Sequence, residues 1–152
     1  MANDGIAMPA PAQASERLSS IERRLRRALE AEETVRWAYL FGSAARGEPF
    51  RDLDVALMLD EDARGAVALG RVAAHLDEAA REIRVDVVDL RSAAPVLAGK
   101  VVREGRLLLD RDTPARRLWQ LEANRRALDL EPWLARFERL RRRALEERVR
   151  RW

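Results

Sequence analysis

Apolar residues recur at helical spacing from Ser15 onward, at Leu18, Ile21, Leu25 and Leu29, with Arg23, Arg24, Arg26 and Arg27 on the opposite side and Ser15 placed to cap the helix. The period then changes. Thr34–Phe41 is rich in β-branched and aromatic residues and predicts a first strand; Val55–Leu59 predicts a second, Ile83–Leu90 a third and Arg106–Asp110 a short fourth. Between them Asp60–Glu82 carries a helical stripe of Ala63, Val67, Val72, Leu76 and Ala79 or Ala80, and Ala93–Glu104 predicts a short helix ending at Gly105. Thr113 and Pro114 open a further helix with Leu118, Leu121, Ala127 and Leu128 as its apolar positions. A last helix starting near Glu131–Pro132 sets Trp133, Phe137, Leu140, Ala144 or Leu145, and Val149 on one stripe.

Helices interleaved with short strands make this an α/β (α+β) chain, and its 152 residues suit a single core. Residues 1–14 lack periodicity and predict a disordered tail, 15–112 form the main domain, and 113–152 are helices that pack on the domain, on a partner, or on both. For the Trp133 stripe, with Arg141, Arg142 and Arg143 beside it and Trp152 at the end, a packing face and a partner-binding face are equally good readings. With no cysteine there is neither a disulfide framework nor a thiolate zinc site, and the one histidine, His75, sits inside a helical stretch as a surface or half-buried residue. No apolar run reaches the length of a membrane span, and no secretory pattern opens the chain, so a cytoplasmic location without membrane contact is expected. The net charge of +3 is carried almost wholly by arginine, Lys100 being the lone lysine. Because the cations alternate with acids along helices, they read as solvated faces, and nucleic acid is not expected as a direct partner.

The chemistry concentrates between Leu40 and Asp86. Gly42 and Ser43 end the first strand, where a residue without a side chain lets backbone approach a ligand and a hydroxyl stands beside it, the composition of a phosphate-binding turn. Ser43–Gly47 predicts a short helix; Arg46 within it either reaches phosphate or pairs with Glu48. Asp52 and Asp54, two apart at the head of the second strand, share a face, and such close acids suit Mg²⁺ shared with phosphate oxygens. Alone, a Gly-Ser turn or an Asp-x-Asp is ordinary turn chemistry. Joined in one strand–turn–strand unit, they point to a nucleotide site. A metal site shared with phosphate oxygens is better completed by a third carboxylate, and of the two acids of opposite parity in the third strand Asp86 is the better candidate. It lies mid-strand, where an unpartnered carboxylate is costly, whereas Asp89 suits a turn or cap.

The run FGSAARGE followed by DLDVAL resembles the signature of the DNA polymerase β nucleotidyltransferase superfamily, and within it the minimal nucleotidyltransferases (MNT) encoded beside HEPN-domain toxins. The link from Ala44 to Arg51 is two residues shorter than the roughly ten usual in that pattern. The likeness extends from about Leu40 to the C-terminus, including an E-G-x-L-L turn followed by D-R-D, and its third acid maps to Asp86. It implies a small mixed twisted sheet with helices packed on one face and the nucleotide site on the other. It also implies two Mg²⁺ ions held by Asp52, Asp54 and Asp86, with Gly42 and Ser43 cradling the β- and γ-phosphates of ATP. The activity implied is an antitoxin's transfer of AMP to a tyrosine of its HEPN ribonuclease toxin in a hetero-oligomer. Transfer to a small hydroxyl compound of the aminoglycoside type is the alternative enzyme; neutralisation by binding alone is the non-enzymatic one.

Overall fold

The computed structural model describes residues 11–63, 65–81 and 83–150, with side chains from Ser15 onward except at 64, 82, 144, 145 and 147–150. Most of the expected tail and the stripe positions Ala144, Leu145, Val149 and Trp152 thus lie outside the described residues or side chains. The chain runs α1 (Pro11–Glu30), β1 (Val35–Phe41), α2 (Gly42–Ala45), β2 (Leu53–Leu59), one tight helical turn (Glu61–Ala63), α3 (Ala66–Ala80), β3 (Val85–Asp89), α4 (Pro95–Glu104), β4 (Arg106–Asp110) and α5 (Thr113–Arg150). The strands form one mixed sheet ordered β3-β2-β1-β4, with β1 antiparallel to both neighbours and β2 parallel to β3 through the α3 crossover. Among the described residues no helix is long and apolar enough to cross a membrane.

β1 is buried at every position except Arg36, and both of its faces are apolar. A regular strand would set Val35 and Trp37 on one side, but the register slips between them. Val35 therefore joins Ala38 and Leu40 against α1 and α3, in a core with Leu25, Leu29, Val55, Leu57, Val72 and Leu76. Trp37, Tyr39 and Phe41 join Ala56 and Met58 on the other side, covered by Val101 of α4 and Trp119 of α5. Helices accordingly pack on both faces of the sheet, which amends the expectation of one: three large aromatic side chains on the second face must also be taken from water.

Three element boundaries depart from the sequence reading. α1 already includes Pro11, where the described residues begin, so Ser15 lies within the helix instead of capping it. The stretch from Asp60 breaks at Gly65, whose φ of 115° no helix accommodates, and α3 begins only at Ala66. The two C-terminal helices are one: α5 passes through Pro132 for 38 residues, because the helix formers on both sides outweigh one lost main-chain hydrogen bond.

The Asp110–Arg111–Asp112 run ties the sheet to the helices. Arg111 donates from Nη1 to the carbonyls of Glu32 (2.5 Å) and Val35 (2.8 Å) and from Nη2 to that of Glu30 (2.7 Å), holding the carbonyls that end α1 and lead into β1. Asp110 accepts from Thr113 Oγ1 and from Arg116, and these donors outweigh its burial, keeping its carboxyl below the ordinary range. Asp112, not Thr113, caps α5 by accepting from the Ala115 N–H at 3.0 Å, and it also pairs with Arg36. Replacement of Arg111 by Met is expected to lower unfolding stability by about 2 kcal/mol, the scale of charge-assisted bonds lost from carbonyls left bare, measured by urea denaturation.

Candidate active site

β1 passes into α2 without a connecting loop. Phe41 is extended and Gly42 turns to φ 73°, a backbone that side-chain-bearing residues avoid. Space demands glycine as well, since a Cβ there would lie 2.2 Å from Asp54 Oδ2. The antiparallel register explains this closeness: Phe41 stands opposite Asp54, so the carboxylate folds down onto the next residue's backbone. Ser43 follows, half-buried at the start of the single turn of α2.

Of the three aspartates, Asp54 and Asp86 are direct partners across the parallel β2/β3 pair, where neighbouring strands lie about 4.8 Å apart and paired residues share a face. Asp52 lies one residue before β2, exposed, on the same side by parity. Asp89 instead pairs with Leu57, on the α1/α3 side, and accepts from the Arg91 N–H at 2.9 Å as a turn residue. Half-buried Asp54 has its carboxyl pushed up, first by burial and next by the charge of Asp86, with Asp52 adding to the push while Lys100 and Arg46 oppose it. Asp86 is itself paired with Arg84, Nη2 to Oδ1 at 2.6 Å.

Arg46 resolves in favour of pairing: Nε and Nη2 donate to Glu48 (2.9 and 2.8 Å), and Nη1 to Glu104 of α4 (2.8 Å). Lys100 belongs to the site's surroundings although its sequence context marked it only as the lone lysine. Half-buried on α4, one turn before Glu104, it acts on the carboxylates of both Asp54 and Glu48. The legible signal was its i,i+4 relation to Glu104, which means little until Glu104 is seen to reach α2.

The donor set fits a hard divalent cation. It consists of carboxylate oxygens on one sheet face, mutually repelling at Asp54, with no soft ligand. As they stand, no three acidic or histidine side chains among the described residues close on a single point, Asp86 being drawn to Arg84. His75 is outside this region, exposed on α3 and paired with buried Glu32.

Two outcomes follow from this geometry. Gly42→Ala is expected to displace the Asp54 carboxylate and so to weaken nucleotide binding by about ten-fold or more, with unfolding temperature the comparison that separates site from fold damage. Asp54→Asn is expected to stabilise the metal-free chain at neutral pH. A carboxyl whose pKa is raised by folding binds its proton more tightly in the native state, so stability falls as pH rises from the unfolded pKa through the folded one. The advantage of the amide should shrink as pH is lowered through the carboxylate range, read by thermal unfolding at several pH values.

Residues 23–114, which contain Gly42, Ser43 and all three aspartates, match the family model described as "Polymerase beta, Nucleotidyltransferase". The chain is 42% identical over 76 residues to the protein adenylyltransferase MntA of Shewanella oneidensis, a match covering 46% of this chain and half the length of that relative. Among solved structures it is similar to a toxin–antitoxin crystal structure with AMP-PNP (27% identity, 84% of this chain and 97% of that one, TM-score 0.57). It is also similar to a structure of the tri-AMPylated Shewanella oneidensis HEPN toxin in complex with MNT antitoxin (25% identity, 87% and 98% coverage, TM-score 0.56). With a family model matched over more than half its length, this chain belongs to the polymerase β nucleotidyltransferase family.

Proposed function

We propose that this chain is the antitoxin of a toxin–antitoxin pair and transfers AMP from ATP to a tyrosine hydroxyl of a HEPN ribonuclease toxin, silencing it in a hetero-oligomer. The observation that carries the reading is the Asp54 carboxylate resting on Gly42 beside Asp86, which joins a phosphate-type turn to a cation-type acid pair in one place. The relatives named above support the acceptor: one is an adenylyltransferase and another is bound to an AMPylated HEPN toxin.

In this reading Gly42 gives the β- and γ-phosphates close access to backbone, and Ser43 offers its hydroxyl to them. Asp52, Asp54 and Asp86 would hold two Mg²⁺ ions, which when bound supply charge neutralisation at the phosphates and acidify the acceptor hydroxyl. The acceptor oxygen bonds to the α-phosphorus, the bond from that phosphorus to the β-phosphate's bridging oxygen breaks, and pyrophosphate departs. Asp86, once released from Arg84, is the group on this chain to take the tyrosine proton.

An exposed stripe on α5 favours a protein as acceptor. Trp133, Phe137 and Leu140 share one side of the helix and face solvent, with the Trp133 and Phe137 rings stacked at 5.7 Å. The same stripe favours the second reading, in which the chain neutralises its partner by contact alone. The two separate in one experiment. Incubating the chain with ATP, Mg²⁺ and the protein encoded beside it is expected to add AMP mass to that protein, and the Asp52→Asn, Asp54→Asn double variant to abolish the addition. Protection from the toxin that persists undiminished in the double variant would favour contact alone.

A further inference from the structure

We propose that Lys100 is a phosphate-binding residue, gripping the triphosphate of the incoming nucleotide, and that in the nucleotide-free chain its ammonium competes with a divalent cation for the acidic site. This rests on the nucleotidyltransferase reading and adds to it a cation that faces the triphosphate.

Two divalent cations balance the charge of a fully ionised nucleoside triphosphate, so the three aspartates leave the assembled site net negative. Some cation of the protein must face it. Arg46 is the nearest by sequence to the Gly-Ser turn, but it is committed three times over, to both oxygens of Glu48 and to Glu104, and freeing it would break charge-assisted bonds on two residues. Arg84 is on Asp86. Lys100 closes no ion pair among the described residues, although it is half-buried and within the field of Asp54 and Glu48.

Its placement is built, not incidental. Ala98, Gly99 and Val101 beside it are buried, and Gly99 lets α4 press on α5 so closely that a Cβ would meet that of Ala127 at 2.4 Å. That contact sets the rotation of α4 about its axis. One turn after Lys100, Glu104 is fastened to Arg46 of α2, so the helix face bearing both residues is drawn toward the turn that carries Gly42 and Ser43. A lysine suits the place better than an arginine would, since a compact ammonium on a flexible stem can pass from carboxylate to phosphate without meeting a planar geometry at either.

The assignment predicts effects of opposite sign from one substitution, which a merely structural residue cannot produce. In calorimetric titrations of the full chain, Lys100→Met should bind AMP-PNP with saturating Mg²⁺ about ten-fold or more weakly than the unmodified protein, the scale of one lost charge-assisted contact. The same variant should bind Mn²⁺ alone more tightly, because a competing cation has gone. Lys100→Arg should retain most of the nucleotide binding that Lys100→Met loses. Unchanged AMP-PNP binding by Lys100→Met overturns the proposal, as does a loss of both ligands together with a lowered unfolding temperature in both variants. If the unmodified chain binds AMP-PNP and Mg²⁺ but Lys100→Met does so equally well, only the lysine is misassigned. Failure of the unmodified chain to bind nucleotide would sink the nucleotidyltransferase reading itself, and this proposal with it.

Discussion

Two carboxylates set side by side by main-chain pairing are the constraint on which the rest turns. Asp54 and Asp86 repel, and no contact between them rewards their closeness. What keeps them together is the reverse of the same strands: Leu53, Val55 and Leu57 of β2 with Val85 and Val87 of β3 face the α1/α3 core, and four of these five are buried while Val87 packs against the cluster. A shift of one residue in this register would turn the apolar set to the outside. The burial of one face thus maintains an unfavourable charge arrangement on the other.

The remaining charges around the pair follow from that. Arg84 takes up Asp86, and Arg46 is bound between Glu48 and Glu104, so the half-buried Asp54 keeps the least direct compensation. Its neighbours Gly42 and Lys100 come from the β1–α2 junction and from α4, elements far apart in the chain. α4 is accordingly a wall of the site as well as a cover for Tyr39 and Phe41, and its packing against α5 at Gly99 links the C-terminal helix to the acids.

Much of this was legible in one dimension because it depends on local spacing. Residue composition and spacing placed the four strands, β4 to the residue, and parity set Asp86 and Asp89 on opposite faces while the mid-strand position of Asp86 singled it out. Gly42 stood out because strand, glycine and hydroxyl were contiguous. What escaped depends on distant partners. Lys100 acquires meaning only when α4 is laid beside α2, and the second helical layer only when the bulge at Val35 and Trp37 sends three aromatics to the far face. Pro132 read as a helix start, since a first-turn proline and a tolerated interior one look alike until the flanking segments are known to be continuous. The Asp110–Arg111–Asp112 run was recognised by likeness only; the geometry supplies its reason, three consecutive charges that respectively hold α5, hold the end of α1 and cap a helix.

The grip of Arg111 also has a bearing on how the chain comes into being. The carbonyls it holds lie 76 to 82 positions earlier, at Leu29, Glu30, Glu32 and Val35. On the ribosome the corner between the first helix and the central strand is therefore made long before the guanidinium that secures it, and β4, which pairs with that strand, emerges just ahead of the same arginine. Until then the nascent chain carries a central strand with one edge open, so lasting order arrives late and nearly at once, when the last third of the polypeptide closes over the first.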